Sequence, residues 1–342
     1  MKHRIFTIAA IIVLSLMLFQ SASGHVPVTG EPGESLDTAT EIADPTKSYV
    51  IYSEIHNHDE AQYFTFEMGA GTRLRMTLMI PTEFVSTSFR PTLVLMGHGL
   101  TNSSNVSDHL EDHIEIPSDV GIVVFDEALM HPEYEGFTPS SFYLLESVDI
   151  IVPETGDYYL AVYDETSHGR YAITIGYVES FTFDEWLLVP INVIGIHLWE
   201  GQNLFLILAP ILITVPLGII FIYRRQEEGS RISNPFTWIG FAGSLLIVGS
   251  GILMFHQMIV AALNVPINAQ AVITAIFAML PILMGYFGLR IGIRLDRNAT
   301  TSDGMKMILV AVLSLFVWGG LLLGPALLVV VGVLFLLQKK QE

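Results

Sequence analysis

Four apolar runs beyond residue 202 constrain this chain most. Residues 203–223, 236–263, 269–289 and 307–337 contain no Asp, Glu, Lys or Arg. Each reaches the roughly 20 residues that a helix needs to cross a bilayer core. Charged residues make up 15% of the chain, against about 25% in an ordinary soluble domain. The deficit lies in these runs, so the sequence predicts an all-α transmembrane bundle over 203–338. It has four helices, or five if the last run folds back on itself at Gly319-Gly320 and Gly324-Pro325. We read the last run as one span.

The basic residues orient the bundle. Arg224, Arg225 and Arg231 follow the first run, and Arg290, Arg294, Arg297 and Lys306 follow the third. Lys and Arg collect on the cytoplasmic side, so both loops are expected inside. The uncharged link around 264–270 is then outside. One conflict remains: four spans leave Lys339 and Lys340 outside, whereas a final hairpin returns them inside.

The N-terminus reads as a secretory signal. Lys2 and Arg4 precede an uncharged apolar run over 5–19, and Ser21, Ala22, Ser23 and Gly24 follow. This is the layout of an export signal, and the run is short for a span. A cut after Ser23 leaves Gly24 first, a cut after Gly24 leaves His25 first, and an uncleaved anchor is the third alternative. We take 1–24 as the signal segment.

Between signal and bundle the chain is strongly acidic. Residues 25–200 hold 29 Asp and Glu against 5 Lys and Arg. Such a segment repels nucleic acid and anionic lipid. There is no cysteine, so an ordinary apolar core must hold it together.

That core is legible as strands over 25–180. In TRLRMTLMI (72–80), Leu74, Met76, Leu78 and Ile80 alternate with Arg73, Arg75 and Thr77, the period-two pattern of a half-buried strand. AQYFTFEM (61–68) alternates too, and Gly69-Ala70-Gly71 between them reads as a tight hairpin connection. Further strands are expected at 91–97, 120–125, 141–152, 156–164 and 169–178, with Gly169 closing a last hairpin. Short strands at this spacing predict an all-β sandwich. TFDEWLLVPINVIGIHLWEGQ, with Trp186 and Trp199, reads as an interfacial linker over 181–202 that seats the sandwich on the bilayer.

The combination ESLDTATEI…AQYFTFEMGAGTRLRMTLMI…VPETGDYYLAVYDETSHGRYAITIGYV, over residues 34–178, resembles the pre-peptidase C-terminal (PPC-like) β-sandwich domain. The shared grammar is an aromatic strand, a Gly turn, an alternating strand, a Thr-Gly-x-Tyr-Tyr strand and a Gly-x-Tyr final strand. The resemblance implies a jelly-roll-type accessory or binding module and carries no catalytic residues. It departs from the usual setting, since no protease precedes the module and a membrane domain follows it.

Histidines are the remaining candidates for chemistry. A mature N-terminus at His25 would join a free amine and a ring to His56 and His58, a nitrogen-rich set suited to copper. Such a set would resemble the histidine-brace copper proteins. His109 and His113 are spaced to share a helical face. Within the spans, His256 and Gln257 are the polar residues to explain, and His197 lies at the same outer level. A polar group in lipid is costly and often functional. We see no G-x-S-x-G, H-E-x-x-H or phosphate loop.

The sequence therefore predicts a multi-pass plasma-membrane protein with an outward β-sandwich. Its expected role is non-enzymatic binding at the cell surface, the bundle contacting other membrane subunits. The alternative is an extracytoplasmic copper-binding protein or an accessory subunit of a membrane redox complex.

Overall fold

A computed structural model describes residues 24–107, 109–125, 131–226, 232, 234–298 and 300–339. The signal segment before Gly24, Arg231 and Lys340 lie outside them. Eleven strands precede six helices among the described residues.

The strands form two sheets. β1 (Val26–Thr29), β3 (Tyr49–Ile55), β5 (Arg73–Pro81), β8 (His131–Glu135), β9 (Ser140–Ile151) and β11 (Gly169–Ile175) make a six-stranded sheet in the order β1-β3-β11-β5-β9-β8. β2 (Thr40–Glu41), β4 (Ala61–Met68), β6 (Thr92–Gly97), β7 (Gly121–Phe125) and β10 (Gly156–Tyr163) make a five-stranded sheet in the order β2-β4-β10-β6-β7. The alternating residues expected on one face of β5, from Leu74 to Ile80, are all buried. They meet Phe64, Phe66, Leu93, Leu95, Leu160 and Val162 of the other sheet in one core.

Two expected hairpins are corrected. β4 pairs with β10 and β2, whereas β5 pairs with β9 and β11. Gly69-Ala70-Gly71 therefore carries the chain from one sheet to the other, with Gly71 at φ +81°. Likewise β10 and β11 lie in different sheets, so the link before Gly169 is a crossing rather than a hairpin. A corner and a hairpin use the same turn residues and the same period-two strands, so local pattern cannot separate them.

Neither outer face of the pair is bare. The five-stranded sheet turns Tyr63, Val94, Met96, Ala161 and Ile122 outward against Leu110 and Ile114. The six-stranded sheet turns Val50, Met79, Ala172, Tyr52, Phe142 and Leu144 toward Trp199 of the first helix.

That helix, α1 (Phe183–Trp199), occupies the stretch expected as an interfacial linker. A reciprocal cap between Thr182 and Glu185 starts it, satisfying backbone donors the first turn leaves free. Gly201 follows its end at φ +89°, the left-handed conformation that stops helices. α2 (Leu204–Arg224), α3 (Pro235–Asn264), α4 (Gln270–Asn298), α5 (Thr301–Phe316) and α6 (Leu323–Lys339) follow. Three stretches, Leu204–Arg224, Pro235–Asn264 and Gln270–Arg297, are long and apolar enough to cross a membrane.

α3 packs against α2, α4 and α6, and small residues permit it. Gly243 abuts the Gly324 carbonyl, Gly251 abuts the Ala278 carbonyl and Gly249 abuts Ile211. Close backbone approach through small residues is the usual means of helix association in lipid.

The single helix expected over 307–337 is two helices, α5 and α6, packed together. Trp318, Gly320, Leu321 and Leu322 all have positive φ. The turn is almost wholly apolar because its backbone is satisfied inside the bundle: the Gly320 N–H donates to Ser250 Oγ at 2.8 Å. Irregular backbone at such depth is tolerated only where protein surrounds it.

Candidate functional site

The structure does not bring His25, His56 and His58 together. β1 lies parallel to β3, and His25 sits beside Ser48, just ahead of the start of β3. His56 and His58 follow the other end of β3. The strand rise puts eight residues roughly 26 Å apart, so the proposed copper set is split along a strand. His25 is itself largely enclosed, and burial first, then Arg75, holds its ring below the usual histidine range. His56 and His58 are exposed, and His58 pairs with Asp59 at 3.1 Å. His109 and His113 flank a single 3-10 turn rather than sharing a helix face. The His113 ring stacks on Tyr163 at 5.5 Å. Among the described residues no cluster of three or more His, Asp or Glu is arranged to hold a metal ion.

The polar residues that do converge lie where the β region meets the helices. At the end of α1, the Glu200 carboxylate accepts from His197 Nδ1 and the Ser141 N–H, both at 2.8 Å. Trp199 Nε1 donates to the Ser53 carbonyl, and its ring meets Tyr52 edge-on at 4.9 Å. At the start of α4, Gln270 Oε1 accepts from the Gly136 N–H at 2.8 Å. Thr274 Oγ1 donates to the Gly136 carbonyl at 2.6 Å and lies 2.7 Å from the Tyr134 hydroxyl. At the α5–α6 turn, Trp318 Nε1 donates to the Trp186 carbonyl at 2.9 Å. α1 is thus bolted to β9, the start of α4 to β8 and the turn after it, and the α5–α6 turn to α1.

Two spaces open along this seam. A cleft of about 390 Å³ lies between the six-stranded sheet and α1, lined by His25, Arg75, Glu133, Glu135 and Gln270 among others. Burial pushes the Glu135 carboxyl up, although the Thr138 hydroxyl and the N–H groups of Phe137 and Thr138 donate to it. Deeper, a cavity of about 60 Å³ lies between α1, α3, α4 and the α5–α6 turn. Its walls are mainly apolar, with Val189, Val193, Leu253 and an aromatic cluster of Phe137, Phe277 and Trp318.

Two polar side chains enter this cavity lining, His197 and Gln257, and both are fully buried. His197 Nε2 has no hydrogen-bond partner, and neither has Oε1 or Nε2 of Gln257. Buried polar groups left so are rare and call for a cause. Ser250, also on the wall, is satisfied by the Ile247 carbonyl and the Gly320 N–H. His256 is one residue from Gln257 and about 100° round the helix; it is not part of the lining.

Sequence reading singled out Gln257, and placed His197 at the same level, because polar residues at membrane depth stand out. Glu135, Thr274 and Trp318 carried no such mark. Glu200 had a weak one, its spacing three residues after His197 on one helix face.

No family model matches the chain, and no curated protein matches it. Among solved structures, the secreted protein MopE of Methylococcus capsulatus is similar over 45% of this chain and 100% of its own, at 11% identity and a TM-score of 0.21. That structure is described as copper-binding with an oxidised tryptophan. A likeness at this level bears on neither the fold nor the ligands of the present chain.

Proposed function

We propose that the chain is a non-enzymatic binding or interaction protein of the plasma membrane. In this reading its β region faces outward and is held rigidly on a helical bundle that contacts other membrane subunits. The polar seam carries the reading, because β9 is fixed to the end of α1 and the turn after β8 to the start of α4. A tether alone needs one helix and a flexible link. A bolted seam lets an event on the sheets bias the packing of the helices. The resemblance to the PPC-like module belongs to this proposal as the outer binding element.

The paired helices α5 and α6 also fit it. Five crossings return the C-terminus to the cytoplasmic side, which removes the conflict between Lys339 and the loops rich in Arg. α2 presents Leu206, Leu212, Ile213, Leu217 and Phe221 outward, a face for lipid or for a partner helix.

The absence of cysteine makes the topology directly testable. Ser118 and Ser302 are both exposed, one in the β region and one at the start of α5. In intact cells, Ser118→Cys should react with a membrane-impermeant maleimide and Ser302→Cys only after permeabilisation. Labelling of both, or the reverse order, would reject the outward β region.

A further inference from the structure

The cleft between the six-stranded sheet and α1 holds the one idle cation of the β region. Residues 25–200 contain five Lys and Arg against 29 Asp and Glu, so acceptors abound, and four of the five cations are engaged. Lys47 pairs with Glu185 at 2.7 Å, Arg73 with Asp149 at 2.5 Å and Arg170 with Glu54 at 3.0 Å. Arg90 donates to the carbonyls of Val85 and Thr87. Arg75 makes no hydrogen bond or ion pair among the described residues, and it is exposed in the lining of the cleft. The carboxylate opposite it on β9, Asp149, is held by two nitrogens of Arg73.

Strand register sets hydroxyls beside this cation. On β5, Arg75 and Thr77 share a face. Thr77 stands opposite Thr174 on β11 and Ser147 on β9. The three hydroxyls form a row across adjacent strands, each roughly 4.8 Å from the next. All three line the cleft, and none makes a side-chain hydrogen bond among the described residues. Arg75 lies two residues along β5 from the row, or roughly 7 Å. Beyond the row the walls turn apolar, with Met79, Phe142 and Leu144 on the sheet and Val193 and Ile196 on α1. The volume of about 390 Å³ falls within the roughly 300–1,000 Å³ of small-ligand sites. Exposure of Arg75, Ser147 and Tyr177 shows that the cleft opens to solvent.

We infer that this cleft binds a small monocarboxylate with an apolar body, its carboxylate on the Arg75 guanidinium and the neighbouring hydroxyls, its body against the apolar walls. A guanidinium fork matches a carboxylate in charge and in shape, and hydroxyls can donate to the same oxygens. Glu133, Glu135 and Glu179 also line the cleft. They disfavour a second negative charge, which sets a monoanion above a phosphate. His25 adds no second cation at neutral pH, because burial, then Arg75, holds its ring below the usual histidine range. The inference gives the proposed binding role a ligand class and rests on that reading.

The test uses the full chain in micelles of an uncharged detergent and equilibrium dialysis, with empty micelles as background. The probes are 3-phenylpropanoate, its neutral amide and the matching cation, 3-phenylpropylamine. The wild type should bind the acid saturably and the amide about tenfold more weakly, the scale of a hydrogen bond to a charged group. Arg75→Gln changes an exposed side chain without a partner and should erase that preference. Thr77→Val keeps the charge and should weaken the acid several-fold, so it decides the matter if Arg75→Gln does not fold. No saturable binding of the acid, equal affinity for acid and amide, tighter binding of the amine, or either folded variant behaving as wild type would overturn the proposal. Cysteine labelling reads the topology independently. Correct labelling with no binding removes the ligand and keeps the outward β region; binding with reversed labelling keeps the ligand and removes that orientation.

Discussion

At the residue scale, the decisive groups are those held in environments that do not suit them. Gln257 is fully buried with its amide unpaired. Gln257→Leu should therefore raise the thermal midpoint, by an amount equivalent to about 1–3 kcal/mol. An unchanged or lowered midpoint would show that the amide is satisfied. Glu135 gives a pH signature. Its folded carboxyl is raised above the unfolded value by burial. The folded state thus holds the proton more tightly, and stability present below the unfolded value is lost as pH rises through the folded one. Glu135→Gln should flatten the fall in midpoint over that window, measured as the difference between variant and wild type from pH 4 to 8. Parallel curves would exclude Glu135 as a source. Gln257 was visible in the sequence because an amide among apolar residues has no local excuse. Glu135 was not visible, because its burial comes from a seam between distant segments.

At the scale of elements, strands and apolar runs were legible and their connections were not. β4 matched its expected bounds, 61–68, because period two with one apolar face is a local property. Where Gly69-Ala70-Gly71 sends the chain is decided by β10 and β9, more than 70 residues away. The last apolar run shows the same limit: hydropathy marks it as one segment, and it takes distant partners such as Ser250 on α3 and Trp186 on α1 to hold a turn inside it. β1, β2, β3 and β8 were missed, and β3 is what separates His25 from His56 and His58. The α5–α6 turn is testable on its own. At Gly320, with φ +81°, an added Cβ would lie 2.8 Å from Ile247 and 3.0 Å from the Gly324 Cα. Gly320→Ala should cost at least 1–2 kcal/mol, read by thermal unfolding in detergent. Gly30→Ala, with nothing within 4 Å, serves as the control that should change little.

At the scale of the whole molecule, the β region and the bundle behave as one body if the seam is intact. Thr274→Val with Gln270→Ala and Asn268→Ala removes the side-chain bonds from α4 and its lead-in to Tyr134 and Gly136. Calorimetry should then show two separated transitions where the wild type shows one; a single unshifted transition would mean that the seam carries little coupling. The covered face of the six-stranded sheet has a further consequence. Tyr52, Met79, Phe142 and Leu144 are sheltered by Trp199 on α1, and α1 is fixed in turn by the helices behind it. Translation delivers these parts in the opposite order. The strands emerge first, and for the time taken to make the remaining half of the chain their sticky side has no cover. Such a nascent intermediate is prone to self-association. Its survival depends on how fast the last helices arrive, so production of this protein should be limited by the ribosome's pace through the 3′ half of the message rather than by the strength of the finished fold.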